Sequence, residues 1–440
     1  MNHPDYKVAR TRQIDNHSRA LIAKQYYSGF ALAHDTYNAL SLASDGKIYY
    51  VLSSDSLEKG GQVYCLDPLT DSVKFLGDLT EICGEGEQKV IPQGKSHVEF
   101  FERRGKLFFA THIGVYEMID GMERLPENPP GEYRLYKGGH ILSYDLETGE
   151  FADLATVPGG EGVLTMTMDT ARGDIYGITW PKGNFFHFDV DKNKWTDFGR
   201  ISENGEAGIP GRDYRVLCRS MFVDPKDGSV YFSNAEGDIF TCDASSKAIR
   251  KLDDVNLRLD YFGQYDSAFP GNMGYNWRKI FWHPQEEVAY GVHGNSGYLF
   301  RFDPRAKQIE IVERITSVPS RKSGMFDQFS YGYLGFQLGP DKETIYYLTG
   351  APIYVNGKRL NGEDKIAKGA ARGLEDLHLI TYHLPTGKYR DHGPVFYADG
   401  GRPTYVNSIA VSADGDVYML ARYAYGGKVI QDLVKIPSPL

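Results

Sequence analysis

The sequence predicts an all-β protein assembled from one structural unit repeated along the chain. Seven stretches share one hairpin pattern, and most hairpins are followed by a strand ending on Asp. Glycine and tyrosine are abundant, at 49 and 31 of 440 residues, as tight turns and aromatic-bearing strands require.

The hairpins come first. Arg219–Tyr231 and Arg278–Tyr290 match in length and character without a gap, and Asn38–Tyr49 and Asn407–Tyr418 are one residue shorter in the turn. His97–Phe108, Leu164–Tyr176 and Leu334–Tyr346 complete the set. Each is an alternating apolar strand, a turn and a second strand opening on an aromatic residue, the pattern of a β-hairpin. The third strands are Val63–Asp67, Ile141–Asp145, Phe185–Asp189, Ile239–Asp243 and Leu299–Asp303, with Leu379–His383 as a degenerate copy. A poorer fourth strand follows most of them, such as Val73–Leu76 or Ile309–Val312.

Four antiparallel strands recurring every ~40–60 residues is the period of a propeller blade. The expectation is therefore a seven-bladed β-propeller forming a single domain over residues 1–440. Its blades run roughly 37–78, 97–157, 162–201, 216–254, 276–315, 331–395 and 404–440. The last blade lacks an outer strand, and Lys7–Ile14 would supply it and tie the two chain ends together.

Composition excludes several classes. Net charge is −9 with no basic block, which argues against a nucleic-acid partner. No apolar run reaches the length of a membrane span, so no membrane partner is expected. Met1–Lys7 carries no basic-then-apolar leader pattern, so the protein is cytoplasmic, or periplasmic or secreted if a signal has been removed. Cys65, Cys83, Cys218 and Cys242 show no paired metal-binding spacing and are expected to be buried free thiols.

Three segments exceed what a blade needs: Val115–Gly139, Ile201–Tyr214 and Ile353–Leu377. In a propeller all three would crowd one mouth of the ring, and long loops on a compact scaffold tend to be functional. On that same edge the seven first strands begin with Asn38, His97, Leu164, Arg219, Arg278, Leu334 and Asn407. The ends of the second strands add His112, Trp180, Asn234, His293 and Arg422, and His34 precedes the first blade. Arg219 and Arg278 on neighbouring inner strands would repel without an anion, and guanidinium suits a carboxylate. His97 and His112 fall on the paired strands of one hairpin. Tyr176 fills the aromatic slot shared with Tyr49 and Tyr290 and is read as core; His187, His283, His378 and His383 are read as structural.

This set fits an anionic sugar. Elimination at a uronic acid needs its carboxylate neutralised, a base for the C5 proton and an acid for the leaving oxygen, and imidazole serves either role. No cofactor is required by the sequence, and a structural or site cation is left unassigned.

Lys95–Phe100 followed by Gly105–His112 resembles the two-histidine hairpin of seven-bladed propeller polysaccharide lyases, the ulvan and rhamnose–glucuronate lyases. Gly139–Gly149, Ile175–Pro181 and Cys218–Ser220 resemble that group too, whereas His34–Leu40 resembles a segment of the related propeller α-L-rhamnosidases. The resemblance implies His97 and His112 as catalytic histidines of a lyase, Arg219 as its carboxylate-binding arginine, and His34 as the histidine of a hydrolase. It implies a catalytic tyrosine as well, for which no position is assigned. Arg278, Asn38, Asn407, Trp180, His293 and Arg422 are the further substrate-binding candidates. The reading is a lyase cutting an α-L-rhamnosyl-(1→4)-glucuronate linkage in an anionic oligo- or polysaccharide. A rhamnosidase on the same linkage and a non-catalytic glycan- or protein-binding propeller are the alternatives.

Overall fold

The computed structural model describes residues 20–440 apart from 36, 120, 263–264, 267, 269–272, 295, 324–334, 357, 360–374 and 404. Strands dominate, and the chain divides into two compact units.

The first unit comprises Ser28–Asn256 and Tyr265–Asn276. It holds four antiparallel four-stranded sheets, each with its strands side by side in chain order. One runs Leu40–Leu42, Ile48–Leu52, Gln62–Asp67 and Ser72–Asp78. The next uses Phe101–Arg103, Lys106–Ala110, His140–Asp145 and Phe151–Thr156. The third uses Gly162–Asp169, Asp174–Trp180, Asn184–Asp189 and Lys194–Arg200, and the fourth Phe222–Val223, Val230–Ser233, Asp238–Cys242 and Ile249–Asn256. These are blade-type sheets, and the fold is all-β of the propeller type.

The second unit comprises Met1–Tyr27, Leu257–Gln264 and Trp277–Leu440. It holds a four-stranded sheet from Trp277–His283 to Gln308–Arg314, and an eight-stranded sheet. In the larger sheet Leu21–Gln25 runs parallel to Lys388–Tyr397 and antiparallel to Lys428–Ile436. An N-terminal strand therefore borders the C-terminal strand, through residues later than Lys7–Ile14, which lie outside the described residues, as does Leu334.

Burial follows position in the sheet. Ile48–Leu52 is buried at every residue, because a middle strand packs on both faces. Ser72–Asp78, Lys194–Arg200 and Gln308–Arg314 are mostly exposed or half-buried, as edge strands bearing charged groups are. The Asp closing each third strand has a job of its own. Asp67, Asp145, Asp189, Asp243 and Asp303 each accept a backbone N–H from the next few residues, at 2.9 Å from Leu69, 3.0 Å from Glu147, 2.9 Å from Lys192, 2.7 Å from Ser246 and 2.9 Å from Arg305. A carboxylate in this place organises the turn into the fourth strand. The degenerate copy ends on His383, whose ring reaches Thr386 Oγ1 instead.

A second recurring device joins the second and third strands. Gly177 stands opposite Phe186, and Gly291 opposite Phe300. A Cβ at either glycine would lie 2.3 Å from the tip of the facing ring, so the phenylalanine lies flat over a residue with no side chain. Tyr176 beside Gly177 is fully buried, and all four cysteines are free and buried. No helix among the described residues is long and apolar enough to cross a membrane.

One polar knot lies inside the first unit. His140 Nδ1 is 2.8 Å from Asp153, its Nε2 is 3.4 Å from Glu85, and Cys83 stands close enough to favour the charged ring. Burial alone would lower the His140 pKa, but Asp153, Cys83 and Glu85 together raise it to about 11.

Gly177→Ala forces a methyl into Phe186 and should destabilise by ~1–3 kcal/mol in chemical denaturation; a change within about 0.5 kcal/mol would refute the ring-over-glycine lock. For His140 the folded pKa lies above the unfolded value, so its contribution is full below the unfolded pKa and fades as pH rises towards the folded one. His140→Gln should therefore cost at least about 1 kcal/mol more at pH ~6 than at pH ~9. A loss equal at the two pH values would mean that the ring is held neutral.

Candidate functional site

The site grows from one close approach of two segments in the first unit. A Cβ on Gly94 would fall 2.2 Å from Gly114 Cα, so only glycine lets the two chains meet here. Beside that contact Lys95 and His112 form an antiparallel bridge, with Lys95 N–H donating to His112 O at 3.1 Å and His112 N–H to Lys95 O at 2.7 Å.

This bridge alters the sequence expectation. Phe101 pairs with Phe108 and Arg103 with Lys106, a register that, if continued, would set His97 opposite His112. The first strand starts only at Phe101, and the Ser96–Phe100 stretch takes up two additional residues. Lys95 thus faces His112 along the backbone, and His97 is no strand partner of it. The two imidazoles still meet, with ring centroids 4.5 Å apart.

His112 is 1% exposed. Its ring lies against Gly162, where a Cβ would come within 2.8 Å of Cγ. Nδ1 lies 3.0 Å from the Ile113 carbonyl, which can only accept, so Nδ1 carries the proton and Nε2 presents its lone pair. Nε2 is buried and has no hydrogen-bond partner among the described residues. Burial, followed by the positive charge of Lys95, pushes the His112 pKa well below the ordinary imidazole value. The ring is therefore a neutral base with an unused acceptor.

Aromatic side chains enclose the pair. Tyr37 lies 4.2 Å from His97, Trp180 lies 5.3 Å from His112, and Tyr116 lies 5.2 Å from Trp180 and 6.3 Å from His112. Burial foremost, then the carboxylates of Glu123 and Glu206, hold the Tyr116 pKa well above its ordinary value, so the phenol keeps its proton.

Arg219 stands just before the short Phe222–Val223 strand, and its guanidinium is taken. Nη2 lies 2.6 Å from Glu206 Oε1, which also accepts the Leu217 N–H at 3.1 Å. Glu206 Oε2 accepts Trp180 Nε1 at 3.0 Å. Glu206 sits on a single helical turn, Gly205–Ala207, inside the Ile201–Tyr214 insertion. Its carbonyl and that of Gly208 receive Arg124 from the Val115–Gly139 insertion. The two insertions thus meet at Glu206, and the expected carboxylate-binding arginine already holds a protein carboxylate.

The remaining candidates divide. His34 is exposed, with Nε2 3.6 Å from Asp55. Asn38 is buried and donates to Glu99 at 3.4 Å. Arg278, His293, Asn407 and Arg422 belong to the second unit. There His293 is fully buried, stacks on Phe262 at 4.2 Å and meets Ser296 Oγ at 2.9 Å. Asn407 donates to Tyr405 Oη at 3.0 Å, Arg422 lies over the Tyr405 ring, and Arg278 packs against Gly294. His97, His112, Trp180 and Arg219 are the candidates gathered around one another. Lys95, Tyr37, Tyr116 and Glu206 join them without having been read from the sequence. Tyr116 carried one usable signal, its place four residues after His112 at the start of an insertion. Among the described residues no group of three His, Cys, Asp or Glu could hold a metal ion.

No protein-family model matches the chain, and no curated protein matches it. Among solved structures, it is similar to a chain of a mitotic checkpoint complex, at 11% identity and TM-score 0.48, covering 93% of this chain and 90% of that one. It is also similar to a chain of a nidogen–laminin complex, at 8% identity and TM-score 0.37, covering 76% of this chain and 91% of that one.

Glu206 offers a direct check on the site's wiring. Glu206→Ala would strand Arg219, the Trp180 indole N–H and the Leu217 amide together, and should cost about 2 kcal/mol of stability, discounted because Arg219 is partly exposed. A variant as stable as the parent would mean that the Glu206 pairs do not form in solution.

Proposed function

We propose that the chain is a carbohydrate-active enzyme that cleaves the glycosidic bond to a uronic acid by β-elimination, with α-L-rhamnosyl-(1→4)-glucuronate as the specific linkage. The observation that carries this reading is His112: neutral, buried, its tautomer set by Ile113 and its Nε2 unused, beside a second imidazole.

The chemistry follows from charge. The C5 proton of a uronate is acidic only when the neighbouring carboxylate is neutralised, and Arg219 is the cation at hand once Glu206 shares it. His112 Nε2 takes the C5 proton. The electron pair forms the C4–C5 double bond and expels the oxygen on C4, which receives a proton from Tyr116 or from protonated His97. Pre-placed donors stabilise the enolate that develops on the carboxylate. Trp180 and Tyr116 supply flat apolar faces for a sugar ring.

His34 supports a second reading. An exposed imidazole beside the Asp55 carboxylate suits hydrolysis of the same rhamnosyl linkage. A propeller that only binds glycan or protein is the third, and it needs no unused base.

The test is incubation with a rhamnose-capped glucuronate glycan such as gum arabic. The expected result is growth of the ultraviolet absorbance of an unsaturated uronate. His112→Ala and His97→Ala should each slow this at least ~tenfold, about 1.4 kcal/mol of barrier, while His34→Ala should not. Free rhamnose without unsaturation would transfer the chemistry to His34, and no product at all would favour the binding module.

A further inference from the structure

Lys95 is an unusual residue to bury, at 3% exposure. Its Nζ donates to Tyr37 Oη at 2.7 Å, and it sits 4.1 Å from the Tyr37 ring centroid and 4.4 Å from that of Tyr116. Two π faces and one phenol oxygen thus replace water around the ammonium. The backbone of the same residue makes both hydrogen bonds to His112. Lys95 is therefore fixed against His112 by its main chain, and its side chain clamps the two tyrosines that flank the histidine pair.

A buried lysine with no carboxylate in hydrogen-bond contact is costly, and costly groups are kept in place by what they do. We propose that Lys95 is a positioning residue of the candidate site: its enclosed ammonium keeps the His112 imidazole unprotonated, so that Nε2 stays free to accept a proton. The proposal rests on the site's reading as an acid–base centre and adds a residue to it.

The surrounding charges agree. Burial lowers the Lys95 pKa to about 8, opposed by Asp35, Glu123 and Asp55, so the ammonium is still largely charged at neutral pH. On His112, burial acts first and Lys95 second, with the Ile113 carbonyl opposing both and Arg219 adding to them. Lys95 is thus the larger of the two cationic influences on the imidazole. Together with burial it keeps that imidazole neutral: a proton placed on His112 would face a fixed positive charge held between the neighbouring tyrosines.

The experiment reads His112 itself. Histidine-labelled full-length protein is titrated by NMR, with His112→Gln identifying the signal. In the parent, His112 stays neutral through the ordinary histidine range. Lys95→Met and Lys95→Gln remove the charge at similar length, and in either variant the midpoint should rise towards the ordinary value of about 6.5. The acid limb of the kcat/KM profile should move up in pH with it, which a purely structural role for Lys95 would not cause. A folded Lys95→Met or Lys95→Gln protein whose His112 midpoint equals the parent's overturns the proposal. If the midpoint rises while the parent forms no unsaturated uronate, the role of Lys95 stands and only the lyase reading falls.

Discussion

The structure depends on one constraint: the middle strands of a four-stranded sheet are apolar on both faces, and one sheet alone can hide neither. In the first unit the buried cluster draws on three sheets at once, with Val51 and Val63 from one, Phe108 and Leu142 from the next, and Met166 and Phe186 from a third. Stacking of sheet on sheet satisfies the strands, and it leaves the strand ends as the places where polar chemistry costs least. His112 lies just past such an end, after Lys106–Ala110, and Trp180 closes the Asp174–Trp180 strand. The scaffold thus fixes the positions of side chains whose identity it does not need.

That division sets what the sequence makes legible. Alternation, turn residues and the closing Asp are local, and all reappear in the sheets. The fourth strands were correctly weak, because an edge strand answers to only one neighbour. What stayed hidden was non-local. The shift between Ser96 and Phe100 preserves the apolar pattern on both sides, so no periodicity betrays it. The Arg219–Glu206 pair joins residues separated by a loop whose path no pattern fixes. Leu21–Gln25 has too few residues to separate a strand from an extended leader. Lys95 misleads most, because a lysine in a sequence reads as surface, and only the tyrosines around it reverse that reading.

The histidine pair shows why residue type is weaker guidance than surroundings. His112 and His140 are both buried in the same unit and diverge in opposite directions. Burial first, then the cations Lys95 and Arg219, discourage a proton on His112 against the pull of the Ile113 carbonyl. His140 has Asp153, Glu85 and Cys83, and its proton is held. The first ring stays neutral with an open acceptor and the second is held charged, yet residue type alone gives no sign of the difference.

The Arg219–Glu206 pair carries the same logic to substrate. An unpaired guanidinium between apolar walls would be expensive, so the fold keeps a carboxylate on it. On the proposed lyase reading, a uronate would share that arginine, and its binding energy would appear only as the difference between two carboxylates. Such an exchange would favour a ligand whose anion arrives with a fixed ring beside it, because Trp180 and Tyr116 would reward the ring while Glu206 offsets the charge. A simple carboxylic acid would bring the charge without the ring and gain little. On that reading the glutamate that lets Arg219 sit in the fold would also make the site selective, through an ion pair that the sequence alone does not show.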